Sequence, residues 1–297
     1  MEQSTLSPRQ TDDPPFSKIA EDITQLLILF LAVRGHGKSS SLRTVIKHIR
    51  ETSPDIVFKI FDVSQAWFHN APVELRQMVT TQTLQRKQVA NLDNCVYEMG
   101  ILSEAQRRAF VASIVAQDYR ERYEIKKENH GKIKELPWIV YVFEEANVYF
   151  GSYSFRRNDA FSPILQDFVS VGRNYKLSAF LVATAEQGEI SPSLRRRVSR
   201  LYGRVESVSD LNALRRKDKG AEKIVKALPK YHFLYYSGES FGPFRIRDEV
   251  AQRPRDHIVV DVPEESRYQR PLGLSWWVQF FIGVAVALGI LWLNSRL

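Results

Sequence analysis

One stretch, Ala32-Val33-Arg34-Gly35-His36-Gly37-Lys38-Ser39, constrains the fold more than any other part of the chain. Before it, Leu26 to Ala32 (LLILFLA) is an apolar run that reads as a buried strand. After it, Ser40 to Ile49 carries Leu42, Val45, Ile46 and Ile49 at helical spacing. Strand, glycine-rich turn and helix in this order are what a phosphate-binding loop requires, because glycines let backbone N–H groups point inward and the helix N-terminus adds positive potential. Lys38 is expected to reach the β- and γ-phosphates of ATP, and the Ser39 hydroxyl to bind Mg²⁺. Arg34, Gly35, His36, Gly37 and Ser40 complete the expected nucleotide-binding set. The pattern G-x-x-x-x-G-K-[ST] places a glycine where this chain has Ala32, a residue still small enough for the turn.

A second stretch fits the same chemistry. Trp138 to Phe143 reads as a buried strand that ends in Glu144 and Glu145. A strand-end carboxylate can hold Mg²⁺, and a second can orient and polarise the attacking water. Glu144 is assigned the metal and Glu145 the catalytic role, Glu144 standing where aspartate is usual. Between these motifs Ile56 to Asp62 reads as a strand, followed by the aromatic pair Trp67-Phe68. Pro72 to Asn91 reads as mostly helical, Cys95 to Met99 as a short strand, and Ser103 to Asn129 as a long charged helix capped by Ser103. Beyond them Phe161 to Val171 is helical, Leu177 to Thr184 and Leu201 to Val205 are strands, and Val208 to Arg216 is a short helix. Tyr231 to Ser237 and Pro243 to Arg247 form a terminal hairpin. Strands alternating with helices imply an α/β fold with a mostly parallel sheet and a C-terminal antiparallel hairpin.

The C-terminal region has another character. No charged residue lies between Arg270 and Arg296, and Leu274 to Leu293 supplies 20 residues, which as a helix is about the hydrocarbon thickness of a bilayer. Trp276, Trp277 and Trp292 sit at its ends, where indoles favour the interface. Arg253, Arg255, Arg267 and Arg270 precede the span, so the positive-inside rule puts the large N-terminal part in the cytoplasm. The expected organisation is a disordered segment over 1–20, an ATPase domain over 21–247, a charged linker over 248–270 and one transmembrane helix over 271–294. Lys+Arg exceeds Asp+Glu by 42 to 34, a net charge of +8 that favours polyanionic partners or an anionic membrane surface. The single cysteine, Cys95, excludes a disulfide framework and a cysteine-based metal site.

Taken together these motifs resemble the FtsK–HerA superfamily of P-loop motor ATPases. The residues that carry the resemblance are the phosphate loop, Phe143-Glu144-Glu145-Ala146, Val171-Gly172-Arg173-Asn174-Tyr175 before the strand ending Ala183-Thr184, and Ile190-Ser191-Pro192-Ser193-Leu194 after it. The resemblance implies a RecA-like core, a homo-oligomeric ring, and ATP-driven movement of nucleic acid (double-stranded DNA foremost) or protein. It also implies an arginine finger in trans, for which Arg173 is the first candidate, with Arg200 and Arg204 behind it. The family's γ-phosphate-sensing glutamine has no counterpart in register, since its slot falls on Thr184 or Ala185. In the loop after the Glu144-Glu145 strand, Arg156 and Arg157 are expected to neutralise nucleic-acid phosphates, with Tyr149, Phe150, Tyr153 and Phe155 stacking beside them. With the terminal membrane span, the chain looks like viral genome-packaging or morphogenesis ATPases. The alternatives are a Zot-like ATPase driving filamentous virion export and a nucleotide-gated membrane scaffold that does not turn over.

Overall fold

The computed structural model describes residues 14–25, 27–151, 161–186 and 189–246. In chain order these form α1 (Phe16–Ile23), β1 (Leu27–Leu31), α2 (Lys38–Thr52), β2 (Ile56–Asp62), β3 (Arg76–Met78), α3 (Thr81–Gln85), β4 (Cys95–Glu98), α4 (Glu104–Glu128) and β5 (Trp138–Phe143). There follow α5 (Ala146–Phe150), α6 (Ser162–Val171), β6 (Leu177–Ala183), α7 (Pro192–Arg195), β7 (Val198–Tyr202), α8 (Val208–Lys217), α9 (Lys219–Ala227), β8 (His232–Tyr236) and β9 (Ser240–Arg245). The strands make one sheet in the order β3-β4-β2-β5-β6-β1-β7-β8-β9. All pairings from β3 across to β7 are parallel, and β8 and β9 add antiparallel at the β7 edge.

The central strands are buried on both faces, which is why they read as continuous apolar runs. Alternation still sorts their side chains into two layers. Ile28 and Phe30 of β1, Phe58 and Ile60 of β2, and Val140 and Val142 of β5 meet α1 and α2 through Ile19, Ile23, Leu42, Val45 and Ile49. Leu29 and Leu31, Phe61, Tyr141 and Phe143 meet the other layer through Phe110 and Ile114 of α4, Leu165 and Phe168 of α6, and Leu211 of α8. The long helix α4 starts at a reciprocal capping box, Ser103 with Gln106. It is tied to the sheet by a buried charge cluster. Lys59 Nζ donates to Asp118 at 2.7 Å and to Asn91 at 2.7 Å, and the Tyr141 hydroxyl donates to the other Asp118 oxygen at 2.7 Å. Such a pair is tolerable inside a fold when its remaining hydrogen-bonding capacity is satisfied, as it is here.

Several expectations need correction. Phe16 to Ala20, placed in a disordered segment, belong to α1, because Ile19 and Ile23 bury against α2 and the Tyr235 hydroxyl donates to Asp22 at 2.6 Å. Pro72 to Asn91 is mostly not helical: a 3₁₀ turn at Val73–Leu75 leads into β3, which adds to the edge of β4, and only Thr81–Gln85 is α-helix. The strand expected from Leu201 begins at Val198, since parallel pairing with β1 runs from Leu27↔Val198 to Leu31↔Tyr202. Helix α9 is additional, opened by the Asp218 carboxylate accepting from the backbone of Gly220 and Ala221. Among the described residues no helix is long and apolar enough to cross a membrane. The expected linker (248–270) and transmembrane helix (271–294) lie outside the described residues.

Candidate nucleotide-binding site

In a parallel sheet the loops after the strands' C-terminal ends collect at one edge, and ligands bind where neighbouring connections diverge. Here the loops after β1, β2, β5 and β6 meet around a cleft of about 590 Å³ lined by Arg34, Gly37, Lys38, Ser39, Glu144 and Tyr231 among others. The phosphate loop joins β1 directly to α2, with Gly37 as the N-cap at φ 92°, a left-handed conformation that glycine adopts without strain. Space makes a second demand. A Cβ on Gly37 would fall 2.3 Å from the ring of Tyr231. The loop's other end is pinned by Val33 N–H donating to Arg204 O at 2.9 Å and by Gly203 N–H donating to Leu31 O at 2.7 Å. Ala32 is accommodated because its neighbour, directly after β7, is Gly203, whose added Cβ would come within 2.7 Å of the Ala32 methyl. His36 is buried, and burial holds its imidazole below the ordinary value. Its Nε2 accepts from Arg204 N–H at 3.2 Å and lies 3.1 Å from His232 O.

Lys38 curls back over the loop, donating to Ala32 O at 2.5 Å and Val33 O at 3.2 Å. Desolvation lowers the pKa of its ammonium, and the nearby Glu189 and Glu144 oppose that shift. Ser39 Oγ donates to Glu144 Oε1 at 3.1 Å, joining the two expected metal ligands across 105 residues of sequence. The same Glu144 oxygen accepts from the Trp67 indole at 2.7 Å, and Oε2 accepts from the Ser64 hydroxyl at 2.8 Å. Burial, reinforced by the neighbouring charge of Asp62, raises the pKa of the Glu144 carboxyl, while its Ser64 and Trp67 donors pull the other way. These hard oxygen donors suit Mg²⁺, which is commonly held by one or two carboxylates plus substrate phosphates and water. No cluster of three or more acidic, histidine or cysteine side chains occurs among the described residues, so the remaining positions would fall to phosphate and water.

Glu145 is built differently. It sits at φ 53°, ψ 53° as the N-cap of α5, and its side chain, 54% exposed, lines the same cleft. Arg107 of α4 comes within 4.0 Å of its carboxylate, with the guanidinium anchored on Met99 O and Gly100 O. At the slot of the missing sensor glutamine, the backbone N–H groups of Thr184 and Ala185 both donate to Glu189, at 3.3 and 3.1 Å.

The structure separates other expected site residues from this cleft. Arg173 precedes β6, at the opposite end of the sheet from the phosphate loop, where it lines a groove with Arg196 and Arg197. Within one chain it does not reach the loop. Arg200 is no candidate for a finger, because it is 4% exposed and its guanidinium pairs with Glu186 at 2.9 and 2.5 Å. Arg204 adjoins the phosphate loop through its backbone, while its exposed side chain pairs with Glu206 at 2.9 Å. Tyr149 and Phe150 are fully buried against Phe143, so neither can stack on a nucleic acid. Tyr153, Phe155, Arg156 and Arg157 lie outside the described residues. Sequence reasoning missed Asp62, Ser64 and Trp67: Asp62 accepts from the backbone N–H groups of Trp67 and Phe68 and so shapes the turn that aims the indole at Glu144. The available signal was an acidic residue ending an apolar strand, with a tryptophan shortly after it.

No protein-family description and no curated protein matches the sequence. Solved structures do. The genome packaging NTPase B204 from Sulfolobus turreted icosahedral virus 2 in complex with sulfate superposes with a TM-score of 0.50 at 14% identity, over 73% of this chain and 96% of that one. Its complex with AMP gives the same TM-score and identity over 72% and 92%. VirB4 of Thermoanaerobacter pseudethanolicus gives a TM-score of 0.53 at 9% identity, over 74% and 89%. At these identities the likeness is one of fold alone: the chain shares the fold of the genome packaging NTPase B204 and of VirB4.

Proposed function

We propose that this chain is an ATP-hydrolysing motor that works as a ring, is fixed to a membrane by residues 271–294, and translocates or packages nucleic acid. The observation that carries the reading is the Ser39–Glu144 contact beside Lys38, with Glu145 turned separately into the same cleft. In this reading Lys38 exchanges the Ala32 and Val33 carbonyls for the β- and γ-phosphates, and the loop's N–H groups hold the phosphate oxygens. Ser39 and Glu144 would hold Mg²⁺, whose charge would offset that of the phosphates. Glu145 orients and polarises the attacking water as general base, and Arg107 restrains its swing. Arg173, at the far end of the sheet, completes the site of the neighbouring subunit.

Support for nucleic acid as cargo comes from the net charge of +8 and from the fold shared with a genome packaging NTPase. Arg156 and Arg157 are the proposed phosphate contacts. The membrane position rests on the uncharged run between Arg270 and Arg296. One observation favours the non-hydrolysing scaffold as a second reading: Glu189 caps the N–H groups of Thr184 and Ala185, where the γ-phosphate sensor would act. ATPase assays of the full chain in detergent, with and without double-stranded DNA, separate the readings. Stimulation by DNA supports the motor, basal turnover alone supports virion assembly, and ATP binding without turnover supports the scaffold.

A further inference from the structure

The cleft has two unlike walls. One, after β2, β5 and β6, presents Ser64, Glu144, Glu145, Asn147 and Glu189; the other presents Arg34, Lys230 and Tyr231. The Ser39–Glu144 contact marks the first wall as the end where the terminal phosphate and its metal lie. A triphosphate running along the loop from that end delivers its nucleoside to the second wall, whose conspicuous group is an aromatic ring with a cation beside it.

Tyr231 is held there at a backbone cost. Its φ is 63°, a conformation that bulky side chains rarely adopt and that tends to persist at ligand-binding sites. Two hydrogen bonds enforce it. Tyr231 N–H donates to His36 O inside the phosphate loop at 3.3 Å, and Ile246 N–H donates to Tyr231 O at 3.0 Å. The consequence is a ring lying against Gly37, with the Cε1 and Cδ1 edge 2.3 and 2.5 Å from where a Cβ would stand. Lys230, which is exposed, places Nζ 4.9 Å from the ring centroid. Neither residue belongs to the loop motif, and neither is needed to close the apolar layers of the sheet.

We propose that Tyr231 is the nucleobase platform of this site: the base of the bound nucleoside triphosphate stacks on its ring, and Lys230 flanks the ribose and α-phosphate. The proposal rests on the reading of the cleft as a nucleoside triphosphate site and assigns its nucleoside half. Stacking on an aromatic face contributes to nucleotide affinity whichever base is presented. The Tyr231 N–H donating to His36 O ties the platform directly to the phosphate loop.

The test separates the two halves of the ligand. Isothermal titration of the full chain in detergent, with Mg²⁺, measures ATP and inorganic tripolyphosphate in turn. Tyr231→Leu is expected to weaken ATP by roughly tenfold and to leave tripolyphosphate unchanged, and Tyr231→Phe to recover most of the ATP loss. Equal losses for both ligands in Tyr231→Leu would make Tyr231 a support for the loop and overturn the proposal. Unchanged ATP affinity in that variant would overturn it as well. If the unsubstituted chain binds neither ligand, the nucleotide reading itself fails. If Tyr231→Leu does not fold, Lys230→Ala carries the same comparison: selective weakening of ATP supports the platform wall, and no change in either ligand removes it.

Discussion

Trp67 bridges the two carboxylates of the candidate metal end, its backbone N–H donating to Asp62 at 3.0 Å and its indole N–H to Glu144 at 2.7 Å. The indole also lies under the Arg43 guanidinium, 5.9 Å from the ring centroid. Trp67 therefore sets where Glu144 points, although it would touch neither phosphate nor metal. Outer partners of this kind commonly change metal affinity by roughly 10- to 100-fold. Trp67→Phe keeps an aromatic ring and removes the donor. The Mg²⁺ concentration for half-maximal ATPase is expected to rise about tenfold in that variant, with saturating ATP and Mg²⁺ restoring most of the rate. An unchanged Mg²⁺ dependence would show that the indole only packs.

Lys38 and Glu145 should separate binding from turnover. Lys38→Ala removes the ammonium now held on the Ala32 and Val33 carbonyls, and titration is expected to show ATP affinity lost. Glu145→Gln should bind ATP normally and lose turnover by roughly 10²- to 10⁴-fold, the contribution typical of a general base. If Glu145→Gln turns over at the original rate, the water-activating group lies elsewhere in the cleft.

Arg173 and Arg200 should behave as opposites. Arg173 is exposed and its loss should leave the melting temperature within a degree or so, as surface substitutions do. In a ring with shared sites, mixing Arg173→Ala chains with Glu145→Gln chains should restore part of the ATPase rate that each lacks alone. Arg200→Ala strands a buried Glu186, and breaking such a pair costs about 3–5 kcal/mol, which thermal melting would register as a large loss.

His36 supplies the pH dependence. Burial lowers its folded-state pKa beneath the ordinary value of 6.5. Above that value both folded and unfolded chains hold it neutral. Below it the unfolded chain takes up a proton that the folded chain resists, so stability falls as pH drops from 6.5 toward the folded-state pKa. The loss from one group is at most about 1.4 kcal/mol per pH unit. Urea midpoints at pH 5.5 and 7.5 should therefore differ more for the unsubstituted protein than for His36→Gln.

Cys95 is expected to be inert. Burial pushes its thiol up to about 11, leaving roughly one thiolate in a thousand at pH 8. Iodoacetamide should label it only after denaturation, with mass spectrometry as the readout.

What the sequence determined by itself was whatever depends on neighbours along the chain. Buried strands announced themselves as apolar runs, as at Ile56–Asp62 and Trp138–Phe143, both found with those bounds. The helix cap at Ser103 was legible because its partner Gln106 is three residues away. So was the phosphate-loop motif, eight residues that run from the end of β1 into the first turn of α2. Tertiary structure decided the rest of the site, because its contacts join residues that sequence does not relate. Trp67 and Glu144 are 77 residues apart and meet only because β2 and β5 are neighbours in the sheet. Tyr231 reaches Gly37 because β8 pairs with β7, which pairs with β1. Arg200 stood in the sequence as a reserve candidate for an arginine finger, yet its parallel register with Leu29 of β1 carries it inside, where it pairs with Glu186. Strand order sets these meetings, and strand order is a property of how the whole sheet packs rather than of any local stretch.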